Sequence, residues 1–205
     1  MSTLKTGALR GTSGSADSIQ LHASNQSVTF PGNVTFSGTV TGDNAGVLQI
    51  KYSTKKGVQS FGGGSWSDVG GMSGTITPAS TNSKILIQVS LGRMNGGTSC
   101  DAAGFKMVRT VSGQSGVDIG IGNENSNRMR VSFCATRWDI SQAHGTGLSW
   151  SWVDEPSTTS SVDYNLKIFP QGDHWHINRN AQYADGTDIY HCVAASSLIL
   201  TEFAS

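Results

Sequence analysis

Apolar and polar residues alternate along residues 27–42 of this chain. The apolar members of the pattern are Val28, Phe30, Val34, Phe36 and Val40. Their even spacing, with Thr and Ser between them, is typical of strands buried on one face. Because a hairpin this small cannot cover its own apolar face in water, the pattern predicts a narrow stem in which three copies of the chain bury their strands together.

Longer apolar runs, bounded by clusters of Gly, Asn, Asp, Ser or Pro, follow from Val47 onward. The runs that predict strands are Val47–Ser53, Ser65–Val69, Gly74–Thr77, Lys84–Leu91, Phe105–Val111, Asp118–Gly122, Arg128–Ala135, Gly147–Trp152, Ser161–Phe169, Trp175–Asn178 and Ser197–Phe203. Their regular spacing without a helical period predicts an all-β, antiparallel sandwich. The last run is strongly apolar, so we expect it to lie in the middle of a sheet, as in a jelly roll.

Three segments follow from these patterns. Residues 1–16 are polar and Gly-rich, with Leu4 and Leu9 as their sizeable apolar side chains, and predict a tail that orders only on a partner. Residues 17–46 form the predicted intertwined stem, which ends in the turn-rich hinge Thr41–Gly46. Residues 47–205 form the predicted jelly-roll head.

Composition supports strands and excludes two classes of partner. Of the 205 residues, 36% are hydrophobic and 14% charged, and 26 are glycine, a composition that suits short strands better than helices. The formal net charge of +0 provides no basic stripe for nucleic acid. No apolar run approaches the roughly 18 residues of a membrane span, and the N-terminus lacks a signal peptide. We therefore expect synthesis in a cytoplasm and no membrane insertion.

Candidate metal ligands and thiols are few. His174 and His176 would point to one side of a strand and could bind a metal together, with His191 or Asp173 brought in by folding. No third ligand is evident from the spacing, so an ordinary packed strand is favoured and no metal or cofactor is predicted. The widely spaced Cys100, Cys134 and Cys192 predict buried free thiols in strands.

Four indoles are the candidate receptor contacts, because aromatic rings with a polar tip suit recognition of glycans and protein surfaces. They are Trp138, Trp150, Trp152 and Trp175. Trp150 and Trp152 would share one side of a strand, where packing in the core or at a subunit interface is the favoured alternative.

Catalysis is not predicted. Asp154 and Glu155 form the obvious carboxylate pair for a glycan-degrading enzyme, but neighbours on a strand face opposite sides and cannot flank one sugar bond. If they lie in a turn, Pro156 favours turn chemistry. No Ser-His-Asp or Cys-His arrangement is supported by the spacing, so we expect a protein that is not an enzyme.

A series of short motifs covers most of the chain. They are Met1–Lys5, the stem sequence Gly-Asn-Val-Thr-Phe-Ser-Gly-Thr-Val, Met107–Arg109, Ile119–Gly122, Asn127–Arg130, Asp154–Pro156 with the Ser/Thr run after it, Tyr164, Ile177–Arg179 and Ser196–Phe203. In this order they resemble structural and fibre proteins of tailed phages, particularly phages of marine cyanobacteria.

The resemblance implies a homotrimeric virion protein. A short stem would join the particle to a head similar to the tumour-necrosis-factor and C1q jelly rolls, and the head would contact a host-surface glycan or protein. Leu4, Lys5 and Leu9 in the N-terminal tail would contact other virion proteins. Capsid decoration, a head fibre or a tail adaptor without receptor binding is the alternative, and a glycan-degrading appendage is less favoured. A cellular C1q-like module is disfavoured because a secretion signal and a Gly-X-Y period are absent from the sequence.

Overall fold

The described part of the chain is all-β. The computed structural model describes residues 46–97, 102–136, 145–172, 174–180 and 186–204. Within those ranges two curled antiparallel sheets pack face to face like a sandwich, and no α-helix occurs. The predicted tail and stem, with Leu4, Lys5 and Leu9, lie outside the described residues, as do Cys100, Trp138 and Asp173.

Eleven strands and one short 3₁₀ turn make up the described elements. The strands are β1 (Val47–Lys55), β2 (Gln59–Gly62), β3 (Ser67–Ile76), β4 (Lys84–Gly96), β5 (Ala102–Val111), β6 (Val117–Ile119), β7 (Phe133–Thr136), β8 (Thr146–Asp154), β9 (Val162–Gln171), β10 (His174–Ile177) and β11 (Ser196–Phe203). The 3₁₀ turn is Ile189–His191.

The observed strands differ from the predicted runs in number and in extent. Ser65–Val69 and Gly74–Thr77 belong to one strand, β3, whose pairing with β9 shifts register between Asp68 and Ser73. β6 ends at Ile119 because Gly120 adopts a φ of 59°, which turns the chain out of the ladder. β7 begins only at Phe133, and β2 has no counterpart among the predicted runs.

The first sheet is built around the long strand β4. β11 pairs with one side of β4, β8 pairs with the other, and β1 pairs with the far side of β11. Past the first residue of β11, Ser196, β10 pairs with the last part of β4, Met94–Gly96. The other side of β10 pairs with β2. The prediction that the last strand lies inside a sheet is confirmed, since β11 has a neighbour on each side.

The second sheet has the order β3-β9-β5. β7 and then β6 follow each other along the remaining side of β5, at Ala102–Phe105 and Met107–Arg109. The alternating apolar residues of both sheets meet in one core. Its largest fully buried side chains include Trp175, Tyr164, Phe105 and Met72.

The sandwich has two ends, which we name by the course of β1. The proximal end contains Val47, which pairs with Phe203, and the distal end contains Lys55, which pairs with Ser196. A nine-residue strand rises about 3.3 Å per residue, so the two ends are roughly 30 Å apart.

Asn178 holds the distal end together. It is fully buried with a φ of 67°, and its amide nitrogen donates to the carbonyl oxygens of Lys55 (2.8 Å) and Gly57 (3.1 Å). Its side-chain oxygen accepts from Ser196 Oγ at 2.6 Å, and its backbone N–H donates to Arg93 O at 2.6 Å. One residue therefore joins β10, the β1–β2 turn, β11 and β4.

Candidate interaction surfaces

The outward side of the first sheet, which we call the outer face, follows from the strand register. Residues paired directly across antiparallel strands project to the same side of a sheet. Three rows cross β1, β11, β4 and β8 in that order: Ile50, Thr201, Leu86 and Val153; Tyr52, Ile199, Gln88 and Ser151; Thr54, Ser197, Ser90 and Ser149. The outer face is therefore apolar toward the proximal end and rich in serine toward the distal end.

Large apolar side chains of the outer face are exposed. Ile50 is 57% exposed, Tyr52 76% and Val153 50%. None of the residues in the three rows is charged, and at the proximal margin Lys84 is neutralised by Glu155 at 3.1 Å. An uncharged surface with several exposed apolar side chains is therefore a candidate interaction surface.

A shallow groove of about 320 Å³ lies in the serine-rich part of the outer face. Its lining includes Gln88, Ser90, Ser149, Ser151 and Ser197, together with Ile199. The side chains offer hydroxyl and amide groups without a charge. The groove therefore suits an uncharged group that forms hydrogen bonds and has some apolar surface.

A second exposed apolar surface, which we call the distal patch, lies at the distal end. It consists of Val58 in the β1–β2 turn and of Ile189, Tyr190 and Val193 before β11, which are between 49% and 76% exposed. Arg93 Nη1 donates to Ile189 O at 3.1 Å, and Asn180 Nδ2 donates to Tyr190 O at 2.6 Å. The patch is thus fixed to the sandwich by hydrogen bonds while its side chains stay accessible.

The structure separates the predicted receptor indoles. Trp150 and Trp152 lie on the inward side of β8, where Trp150 stacks on Phe133 with 5.5 Å between ring centroids and Trp152 is 44% exposed. Trp175 is only 1% exposed and packs in the core, because it pairs with Phe61 and Gly96 on the inward side of β10. The expectation of an accessible indole therefore does not hold for Trp175.

Trp66, the remaining indole, is not among the residues predicted from the sequence to contact a partner. Trp66 packs beside the second sheet against Phe169, with 5.6 Å between ring centroids, and Lys106 Nζ lies 4.6 Å from the centroid of its ring. Lys106 also pairs with Asp118 at 2.9 Å. Because Phe169 and Lys106 contact its ring, Trp66 offers less accessible surface to a partner than the outer face or the distal patch does.

The two histidines of β10 lie on the same side of the strand, as the alternation predicts. Their rings are parallel, with 6.4 Å between centroids. His176 is 5% exposed, and its Nδ1 lies 2.8 Å from Ser60 Oγ and 3.0 Å from Arg179 Nη2. Because the guanidinium can only donate, Nδ1 acts as an acceptor and carries no proton. Burial, reinforced by the charges of Arg179 and His174, lowers the pKa of His176 to about 4.

Acidification from pH 7.5 to 4 is expected to reduce the free energy of unfolding by about 2 kcal/mol through His176, less than the full pKa difference gives because solvent screens part of it. The folded pKa of about 4 lies below the ordinary value of 6.5, so the unfolded chain takes up the proton first. This contribution to stability is complete above pH 6.5 and is lost as the pH falls toward 4.

Urea unfolding at a series of pH values measures this effect. His176→Gln should flatten the profile between pH 6.5 and 4, whereas the control His174→Gln, on the same side of β10, should retain the slope. A slope that survives in His176→Gln contradicts the assignment.

The carboxylates Asp154 and Glu155 occupy different environments. Asp154 ends β8 with its side chain 7% exposed, and it accepts from Arg109 and from Tyr164 Oη. Burial, with the hydrogen bond and the negative charge of Asp154, raises the pKa of the Tyr164 hydroxyl well above its usual range. Glu155 is exposed beside Lys84. The pair therefore does not converge on one substrate position.

The described residues contain neither a metal-ligand cluster nor a helix that could span a membrane. Among them no group of three or more His, Cys, Asp or Glu side chains is arranged to hold a metal ion. Those same ranges also contain no helix with the length and hydropathy to cross a membrane. Cys134 and Cys192 are free thiols, but the prediction that they are buried in strands is wrong: Cys134 is exposed on β7, and Cys192 is partly exposed outside the strands.

Comparison with protein-family models and with curated protein sequences finds no match to this chain. A function is therefore inferred from the surfaces described above.

Proposed function

We propose that this protein is a homotrimeric, non-enzymatic appendage of a tailed-phage virion whose heads contact the host surface. The observation that carries the proposal is the outer face, where Ile50, Tyr52 and Val153 are exposed beside uncharged neighbours. Like charges would repel each other around a threefold axis, whereas an uncharged apolar face favours association of identical copies. The alternation in residues 27–42 also favours three copies, because one thin ribbon cannot bury its own apolar side.

We assign the head a jelly-roll topology. The support is the strand order, 1-11-4-8 in the first sheet and 3-9-5 followed by 7 and 6 in the second. Each sheet alternates strands from early and late parts of the chain, as two nested Greek keys require.

The two ends of the head differ: the chain enters at one, and the distal patch lies at the other. The 45 residues before Gly46 reach the head at the proximal end, and the distal patch lies at the opposite end of β1. We infer that the distal patch, which lies away from the end at which the chain enters the head, is the surface that contacts the host. Three heads on one stem raise the effective concentration of each contact, so weak single contacts suffice.

Sedimentation equilibrium of the full-length chain tests the assembly. We expect three times the monomer mass of 21.5 kDa, and a monomer would contradict the proposal. Ile50→Asp places a charge on the outer face and is expected to weaken the trimer at least tenfold. The matched control is Lys51→Asp, which changes the neighbouring exposed residue on the other side of β1 and should leave the mass unchanged.

Binding of fluorescent full-length protein to host cells tests the attachment role. Tyr190→Asp combined with Val193→Asp should reduce binding at least tenfold while the trimer mass is retained. The control Val117→Asp changes a residue of similar exposure, 51%, on the second sheet and should bind as the unmodified protein does. Equal binding by the distal-patch variant would overturn the assignment of the contact surface.

The position of the labelled protein on intact particles separates attachment from the alternative roles. Attachment predicts label on the tail, and label on the capsid lattice would instead indicate decoration. Incubation with host polysaccharide is expected to leave the chain length of the polysaccharide unchanged, and shortened chains would contradict the non-enzymatic role.

A further inference from the structure

A row of charged side chains, which we call the charged row, crosses the outward side of the second sheet. It runs over β3, β9, β5 and β6 and consists of Asp68, Lys167, Lys106 and Asp118. Lys167 pairs directly with Asp68 on one neighbouring strand and with Lys106 on the other. Three strand spacings of about 4.8 Å give the row a length of about 14 Å.

The order of charges in the charged row is not the one that strand pairing favours. Lys106 and Lys167 lie directly opposite each other, and like charges in that arrangement destabilise a sheet. Lys167 Nζ donates to Asp68 Oδ1 at 2.5 Å, and Lys106 Nζ donates to Asp118 Oδ2 at 2.9 Å. Both carboxylates stay accessible, since the side chain of Asp68 is 58% exposed and that of Asp118 is 36% exposed. The row therefore presents donors and acceptors side by side to solvent.

Asn165 and Trp66 extend this surface. Asn165 Nδ2 donates to Asp68 Oδ1 at 2.9 Å, and its side-chain oxygen is a further acceptor. Trp66 Cη2 lies within contact distance of the place where Gly104 would carry a side chain, and Lys106 Nζ is 4.6 Å from the centroid of the ring. The indole remains partly exposed. It therefore adds an apolar ring surface beside several hydrogen-bonding atoms.

We propose that the charged row and Trp66 bind a neutral saccharide, with one sugar ring against the indole and its hydroxyls between the carboxylates and the ammonium groups. Two lysines and two aspartates give the row no net charge, so it favours neither an anionic nor a cationic ligand. A hydroxyl both donates and accepts, so it contacts an aspartate and a lysine at once. The site includes no residue of the outer face or of the distal patch, and the inference does not rest on the proposed assembly.

Binding of fluorescent full-length protein to an oligosaccharide array tests the class of ligand. The array carries neutral hexose and N-acetylhexosamine oligomers together with sulfated and uronate-containing oligomers. We expect binding to at least one neutral oligomer. Binding confined to the acidic oligomers would show that the lysines capture an anion and would overturn the inference, as would the absence of binding to every oligomer.

Variants of the row test its position. Asp68→Ala combined with Asp118→Ala removes two acceptors and should raise the dissociation constant for the neutral oligomer at least tenfold. The matched control Asp163→Ala removes a carboxylate from the same side of β9, four residues before Lys167, and should leave the dissociation constant unchanged. Trp66→Phe keeps an aromatic ring of smaller area and should raise the dissociation constant at least threefold.

The outcomes separate this site from the proposed function. Because the two aspartates form exposed ion pairs, the double variant should keep the urea midpoint of the unmodified protein, which shows that its fold is retained. Unchanged affinity in that variant would contradict the site whatever the sedimentation mass. A monomer that binds the oligomer and loses binding in the double variant would support the site while contradicting the proposed assembly.

Discussion

Asp154→Ala is expected to reduce the free energy of unfolding by about 3–5 kcal/mol, because it leaves a largely buried cation and a buried hydroxyl without their partner. Arg109 Nη1 donates to both carboxylate oxygens, at 2.9 and 3.2 Å, and Tyr164 Oη donates to one of them at 2.6 Å. Arg109 and Tyr164 belong to the second sheet, whereas Asp154 ends β8 of the first sheet. The carboxylate therefore ties the two sheets together.

Denaturant titration followed by tryptophan fluorescence measures this loss, and the neighbouring residue supplies the control. Glu155→Ala breaks an exposed ion pair with Lys84 and should change stability by less than about 1 kcal/mol. Tyr164→Phe removes one hydrogen bond and should cost about 1–2 kcal/mol. Similar effects of Asp154→Ala and Glu155→Ala would show that the buried cluster does not stabilise the fold.

Asn178→Ala is expected to cost about 3–5 kcal/mol, because three side-chain hydrogen bonds are lost and alanine is strained at positive φ. The lost bonds join Asn178 to Lys55 O, Gly57 O and Ser196 Oγ, and the φ is 67°. Since these groups belong to the end of β1, to the β1–β2 turn and to β11, the effect should concentrate at the distal end. Hydrogen exchange of β2 and of the start of β11 should accelerate more than exchange of β9.

Two variants separate the causes of this loss. Asn178→Gly relieves the backbone strain but not the loss of hydrogen bonds, so it should be about 1 kcal/mol less harmful than Asn178→Ala. Asn180→Ala removes one bond to the carbonyl of Tyr190 and should cost about 1 kcal/mol. Equal losses for Asn178→Ala and Asn180→Ala would contradict the central role of Asn178.

Local patterns explain what the sequence could predict of this fold. Lys84–Leu91 and Ser197–Phe203 are recognisable because alternation and β-branched residues favour a strand wherever the segment pairs. β2 is short and lies among glycines and serines, and its pairing with β10 depends on residues more than a hundred positions away. Gly70 and Gly71 interrupt the alternation at the register shift of β3, so the sequence predicts two separate strands there.

The candidate surfaces depend on pairing that no local pattern contains. The sequence predicts a strand at Tyr52, but only its pairing with Ile199, and that of Ile199 with Gln88, places the tyrosine beside a groove. The sequence makes Trp175 a candidate because an indole suits recognition of glycans and protein surfaces. Its burial depends on pairing with Phe61 on the unpredicted β2. Likewise, Arg109 meets Asp154 across the two sheets, a contact between residues 45 positions apart.

The position of β11 has a consequence for biosynthesis. β1 emerges from the ribosome well before its described pairing partner, since Tyr52 pairs with Ile199. The first sheet therefore cannot close before residue 203 has been made, and until then β1 remains without this partner, with Ile50 and Tyr52 uncovered. Such late, long-range pairing makes folding slow and leaves nascent chains on one polysome open to premature association.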